Sequence, residues 1–314
     1  MWPARSREPA TVLLPGPLDI AATLAPLRRS GDDMVDRWDG VRLLGSVRAG
    51  LTPSAEEAAV APYVAHARGG VSRACLDVLA EPPAATPAAA AALAGRFVPV
   101  SAAFAGLCRS DQVLARLVDR FPGVRPVLRP DLLTALIHCV SAQQVNLAWA
   151  ATTRRRLALR FGRRLEVAGH EVYRHDAARL ARASIAALRE LQFTTAKAVT
   201  LIEVARAVSG GHLRLEELAA LPDAGVVARL TALKGIGTWS AGWVLARTLG
   251  RPVVVVGDLG VRRAVGAAYL GSPLPAPEEV QRATEHWGEA AGEAQALVLH
   301  AWAEGALVAI AGRP

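Results

Sequence analysis

The stretch "LTALKGIGTWSAGWVLARTLGRPVVVVGDLGVRR", residues 230–263, decides how this chain is read. In "LKGIG", Leu233 ends one helix and Thr238 caps the next, while Gly235 and Gly237 flank Ile236. Glycine permits positive φ and lets another backbone come close. Amides at the start of the second helix would point outward, toward a phosphate or another anion. Ile236 would plug back between the two helices, and Lys234 adds a cation at the hairpin edge. A lone GxG would fit any helix–turn–helix corner. The apolar positions on both flanks, spaced for two packed helices, make a phosphate-binding hairpin the expectation. One helix later, "VVVV" (253–256) reads as a buried extended connector, and Asp258 follows it at the head of "LGVRRAVGAAYL". An aspartate there is a natural N-cap; its place after hairpin and connector also makes it a candidate functional carboxylate.

The rest of the chain fits a polyanionic partner. Its 314 residues allow two domains, its formal net charge is +8, and Lys197 and Lys234 are the only lysines. Cys75, Cys108 and Cys139 are far apart, with no CxxC pair, which argues against a zinc site or an iron–sulfur cluster and suits a reducing cytoplasm. The N-terminus is a poor signal peptide, and no apolar run is long enough for a membrane span.

Residues 1–97 read as a small α+β domain. "ATVLLPG" reads as a strand, "LDIAATLAPLRRSG" as a helix ending at Gly31, and "GVRLLGSVRAGLTP" as paired strands. "SAEEAAVAPYVAHARGG" reads as a helix that starts at the N-cap Ser54, carries Glu56 and Glu57, and stops at Gly69-Gly70. From residue 98 to 314 helix follows helix, with "VVVV" the one exception. "RPDLLTALIHCVSAQQVNLAWAATTRRRLALRFG" is expected to be two helices broken near Ser141.

These motifs, taken in order over residues 115 to 305, resemble the helix-hairpin-helix DNA glycosylase superfamily, and within it the bacterial 3-methyladenine DNA glycosylase II type. The resemblance rests on "LKGIG" followed by Asp258, on "ALIHCVSAQQVNLAWAATTRRRLALRFG", on "LRELQFTTAKAVTLIEVARAV" and on "LVLHAW". It implies a mainly α fold: a two-lobed helical glycosylase core with its hairpin at 233–237, preceded by a small α+β domain similar to a TATA-binding-protein-like sheet. Two departures bear on which damaged bases are accepted. Leu259 stands where some relatives carry an aromatic, and "WGEAAGEAQALVLHAW" lacks a Trp-Arg-Ser run.

The resemblance implies duplex DNA with damaged bases as partner, and Asp258 as the catalytic residue. A fixed carboxylate stabilises the charge that grows on deoxyribose as an N-glycosidic bond breaks. A lyase of this family would carry a lysine where Trp239 stands, so a monofunctional glycosylase is implied. The target base must leave the helix stack. Trp239 and Trp243, at i and i+4, share a helix face; Trp239 and Trp302 are expected in the base pocket, and Trp243 either there or in the core. An aromatic pocket attracts a base that methylation has made cationic. Lys234, Gly235, Ile236, Gly237 and Thr238 are expected to hold the DNA backbone, with Arg262 and Arg263 adding phosphate contacts. In "SAQQVN", Gln144 falls at the family's wedge position, and Gln143 either faces the opposite strand or supports the loop. The arginines at 154, 155, 156, 160, 163 and 164 read as a solvated helix face sooner than as a DNA-facing stripe. No organic cofactor, membrane or protein partner is implied, and no metal held by side chains. The resemblance implies only Na+ or K+ at hairpin carbonyls. A non-catalytic DNA-gripping module is the alternative; it would need neither Asp258 nor the tryptophans.

Overall fold

A computed structural model describes residues 8–48 and 60–307. The chain opens with β1 (Ala10–Leu13), α1 (Ile20–Arg29), β2 (Arg37–Trp38), β3 (Arg42–Arg48), β4 (Val60–Arg68), β5 (Cys75–Ala80) and α2 (Thr86–Ala94). The strands form one antiparallel sheet in the order β1-β5-β4-β3-β2. Residues 60–68 are therefore a strand and not the expected helix; Ser54, Glu56 and Glu57 lie outside the described residues. The reason is burial on both faces. Ala61, Tyr63 and Ala65 share a core with Leu24, Leu27 and Leu93 of the two helices, while Val64 meets Leu44, Leu79, Val167 and Val172 on the other side. A strand covered on both faces loses the polar alternation that marks strands in sequence.

The remainder is mainly helical. It runs through α3 (Ala102–Ser110), α4 (Gln112–Arg120), α5 (Leu132–Ala142) and α6 (Leu147–Phe161) to a hairpin of β6 (Gly162–Val167) and β7 (His170–His175). That hairpin corrects the reading of an unbroken helical series. Its turn residues Ala168 and Gly169 both have positive φ, as a tight hairpin turn requires. Its outward residues are charged, and Val167 and Val172 pack on the N-terminal sheet. Then come α7 (Ala177–Ala181), α8 (Ile185–Glu190), α9 (Thr195–Ser209), α10 (Leu215–Ala220), α11 (Asp223–Thr231), α12 (Thr238–Arg247), α13 (Leu259–Val265), α14 (Pro277–Thr284) and α15 (Ala291–Ala303). The expected break after Ser141 is real: α5 ends at Ala142 and Asn146 caps α6, its Oδ1 accepting from the Trp149 amide at 2.8 Å.

The helices build two cores. One gathers Leu136, Leu157, Leu201, Leu230, Ile236 and Val244 from α5, α6, α9, α11, the hairpin and α12. The other gathers Leu114, Leu117, Val261, Trp287, Leu297 and Val298 from α4, α13, the turn before α15, and α15. Residues 248–258 cross from the first core, where Leu249 and Val253 pack, to the second, where Val254 and Val256 pack. Among the described residues, no helix is long and apolar enough to cross a membrane.

The run of arginines needs a correction: Arg163 and Arg164 lie on strand β6 and not on a helix, and the others are on α6. Arg154 is not on a solvated face; it is 2% exposed. Its Nε donates to Asp33 Oδ2 at 2.9 Å, and its other nitrogens reach Ser141 Oγ and the Ser30 carbonyl. Arg155 and Arg164 pair with Asp32 and Glu171, and Arg156 lies over the Trp149 ring. His138 shares Asp33 Oδ2 at 3.0 Å and receives Arg129 on Nδ1 at 2.7 Å. Burial, together with the charges of Arg129 and Arg154, pushes the imidazole down to about 3. His138 is thus neutral and donates a hydrogen bond to Asp33, while Arg154 is the ion-pair partner.

Candidate active site

The hairpin follows from its glycines. Gly235 has φ +81°, and a Cβ there would sit 2.1 Å from Thr200 Oγ1 on α9. Ile236 turns inward and is 4% exposed, so the plug expected from the sequence is in place. Lys234, Gly237 and Thr238 are exposed. The N-cap of α12 is Gly237 in extended conformation, and not Thr238; no side chain caps this helix. A Cβ on Gly237 would meet nothing within 4 Å. The hairpin thus offers open backbone and uncapped first-turn amides.

Asp258 does two things at once. Its Oδ1 accepts from the Val261 amide at 3.0 Å, so it is the N-cap of α13. Its Oδ2 accepts from Trp239 Nε1 at 2.9 Å and from Trp243 Nε1 at 3.1 Å. The i, i+4 spacing on α12 delivers both indole N–H groups to one oxygen. The preceding connector is pinned from α15, where the buried Gln295 accepts from the Val255 amide at 2.8 Å, and Asp258 N closes the turn on Val255 O. Gly260 keeps the approach open, since a Cβ there would lie 3.0 Å from Asp258 Oδ1 and 3.6 Å from Leu299 of α15.

Trp243 stands between its two readings, pocket and core. The ring is half-buried, its N–H is spent on Asp258, and the Arg247 guanidinium lies 5.3 Å from its centroid. Burial, with the charge of Arg129, brings Arg247 down to about 10; Asp258 opposes that shift, and the group stays cationic at neutral pH. One face of Trp243 therefore already carries a cation, leaving less of this ring for a second one. Trp302 lies outside the hydrogen-bond set of Asp258. It is 37% exposed, on the last turn of α15, three residues beyond Leu299 and so on the same face.

The Cys139 thiol is buried and pushed up to about 12, chiefly by that burial, so it is no nucleophile at neutral pH. Lys197 donates its amine to the carbonyls of Ser141 at 3.0 Å and Gln143 at 2.7 Å. Gln143 supports its loop, with Nε2 donating to Gly235 O at 3.0 Å. Gln144 is exposed, in left-handed conformation at φ 54°. Arg262 donates Nε to the Pro275 carbonyl at 2.8 Å, while Arg263 is exposed. Arg247, Thr200 and Gln295 went unnoticed in the sequence, and Lys197 stood out there only as one of two lysines. Of the first three, Arg247 alone left a trace, being one turn beyond Trp243.

Residues 137–290 match the model of the family described as HhH-GPD superfamily base excision DNA repair protein. A DNA-3-methyladenine glycosylase of Bacillus subtilis (strain 168) is 28% identical over 188 residues, which are 59% of this chain and 62% of that protein. The match thus spans about three-fifths of the length of that curated relative. In fold, the chain is similar to the 3-methyladenine DNA glycosylase from Archaeoglobus fulgidus, with TM-score 0.80, 21% identity and coverage of 93% of this chain and 98% of that one. It is also similar to the Schizosaccaromyces pombe 3-methyladenine DNA glycosylase solved with abasic DNA, with TM-score 0.55, 22% identity and coverage of 65% and 97%.

Proposed function

We propose that this chain, which belongs through residues 137–290 to the HhH-GPD superfamily of base excision DNA repair proteins, is a monofunctional DNA glycosylase acting on alkylated purines in duplex DNA. The observation that carries this reading is Asp258, a carboxylate fixed by Val261, Trp239 and Trp243 at the junction of the two helical cores. A protein that only gripped DNA would have no use for a carboxylate held this way beside an open approach at Gly260.

In this reading the exposed hairpin amides, Lys234 and Arg263 hold the backbone, and the net charge of +8 favours the encounter. Gln144 enters the stack as the damaged base leaves it. The base rests against Trp239 and Trp302. As the bond from C1′ to the purine lengthens, positive charge grows on the sugar and Asp258 stabilises it. Three of the carboxylate's acceptor positions are filled, two of them on Oδ2, so Oδ1 is the oxygen left to orient the water. Water adds its oxygen to C1′ and passes its proton to Asp258 Oδ1 and from there to solvent. A purine methylated on a ring nitrogen is already cationic and departs neutral, without a general acid. The lyase route would need a free amine at the position where Trp239 stands; the Lys197 amine is engaged by two carbonyls, and Lys234, exposed on the hairpin, serves in this reading as a phosphate contact.

The carbonyls of Leu233, Gly235 and Gly237 already accept from the Ile236 amide, Gln143 Nε2 and the Ala241 amide, so a monovalent cation at the hairpin would use their second lone pairs. Residues 233–237 would hold such an ion, which would add positive charge beside a phosphate. We also read residues 1–97 as a TATA-binding-protein-like domain fastened to the glycosylase domain 98–314 through Asp33 and Arg154. The test is direct: methylated duplex DNA is incubated with the protein, and free bases and strand breaks are measured separately. Released methylpurines with intact strands support the reading. Breaks without alkali, or no free base at all, contradict it.

A further inference from the structure

The two parts assigned to DNA, the hairpin and the loop 143–146, are joined through helix α9. At its first turn, Lys197 donates to the carbonyls of Ser141 and Gln143, where α5 gives way to the loop. One turn on, Thr200 lies under the hairpin so closely that Gly235 has no room for a Cβ. Gln143 closes the triangle by donating its side-chain amide to the Gly235 carbonyl. Residue 143 is thus held by its own carbonyl on one side and by its side chain on the other. The next residue, the exposed Gln144, sits in a left-handed conformation that non-glycine residues adopt only where the surroundings impose it.

We propose that Lys197 is a positioning residue for strand opening, and that its clamp on loop 143–146 fixes the distance between the backbone grip and the side chain that enters the base stack. The inference rests on the glycosylase reading above. Opening a duplex needs two anchors that do not yield toward each other. If the loop gives way, the strain relaxes in the protein and not in the DNA. Capping α5 accounts for the bonds to Ser141 and to Gln143, the C-cap residue; what capping alone does not require is the second hold on Gln143, whose side chain ties the same residue to the Gly235 carbonyl of the hairpin.

The test compares one damaged base in two settings, fully paired and opposite a one-nucleotide gap, where little stacking and pairing remain to be broken. Lys197→Met is expected to slow single-turnover release from the paired duplex about 10-fold or more, because opening carries an unstacking and unpairing cost that the gap removes. Release from the gapped duplex should change less than about 2-fold, and Lys197→Arg should restore most of the paired rate. Equal losses on both substrates, or no loss on either, would overturn the proposal. If Lys197→Met fails to fold, Lys197→Gln, which keeps one donor, takes its place. Fluorescence of a 2-aminopurine beside the damaged base reads opening without base release. Wild-type protein that opens the duplex but frees no base would defeat the glycosylase reading; the same signal, compared between wild type and Lys197→Met, would still decide the clamp.

Discussion

Trp239 and Asp258 are joined by a 2.9 Å hydrogen bond from indole nitrogen to carboxylate, and Trp243 donates to the same oxygen from one turn further along α12. Two aromatic residues that could have been mere walls thus fix the orientation of the one carboxylate at the site. Hydrogen bonds to a charged group are worth about 1.5–3 kcal/mol each, more than a stacking contact usually supplies.

Trp243→Phe should therefore keep a ring in place and lose the donor. The expected result is a fall of about 10-fold in single-turnover base release, with DNA affinity within about 2-fold of wild type. Trp239→Phe should behave alike, and the double variant should lose more than either. Unchanged rates would mean that the two N–H groups do not position Asp258.

The two hairpin glycines make different predictions. Gly235→Ala places a methyl group 2.1 Å from Thr200 Oγ1 at φ +81°, so it should destabilise the fold by about 1–3 kcal/mol, read from urea unfolding. Gly237→Ala has room and ordinary backbone angles, so its stability should stay within about 0.5 kcal/mol. A loss of DNA affinity in Gly237→Ala would then report a backbone that approaches the site and not a damaged hairpin.

Stability should fall on mild acidification. His138 is lowered from 6.5 to about 3 and His175 from 6.5 to about 4, each chiefly by burial. The unfolded chain therefore binds protons that the folded chain refuses between those limits, so stability is full above about pH 6.5 and declines below it. Burial alone would raise the Asp33 carboxyl, but His138 and Arg154 hold it well below the usual range. Its contribution is present above its ordinary value of 3.8 and is lost only as pH falls below that. Urea unfolding at pH 7.5, 6 and 5 should show the midpoint falling at each step. Asp33→Asn should cost about 3–5 kcal/mol at neutral pH, because Arg154 would be left buried without a counter-charge.

What the sequence made legible was local. Gly235, Ile236 and Gly237 lie together in the chain, and the break between α5 and α6 sits at its own capping asparagine. Asp258 was visible as a helix cap one element after the hairpin. The roles that depend on distant partners were hidden. Arg154 looked like one of several surface arginines because Asp33 lies 121 residues away. Strand β4 looked helical because β6 and β7, far along the chain, cover its second face. The spacing of Trp239 and Trp243 revealed a shared face but not that both N–H groups turn to Asp258, since that requires the crossing 248–258 to bring Asp258 back to α12.

The most direct test of the account is Asp258→Asn on methylated duplex DNA, with base release under single-turnover conditions and binding to the same duplex measured side by side. Asparagine keeps an acceptor for the Val261 amide, so the cap and the fold should survive. The account predicts that wild type frees the base, that the variant loses release by about 100-fold or more, and that binding stays within about 3-fold. A variant that frees the base as fast as wild type, or a wild type that binds tightly and frees none, would contradict it and leave Asp258 a helix cap.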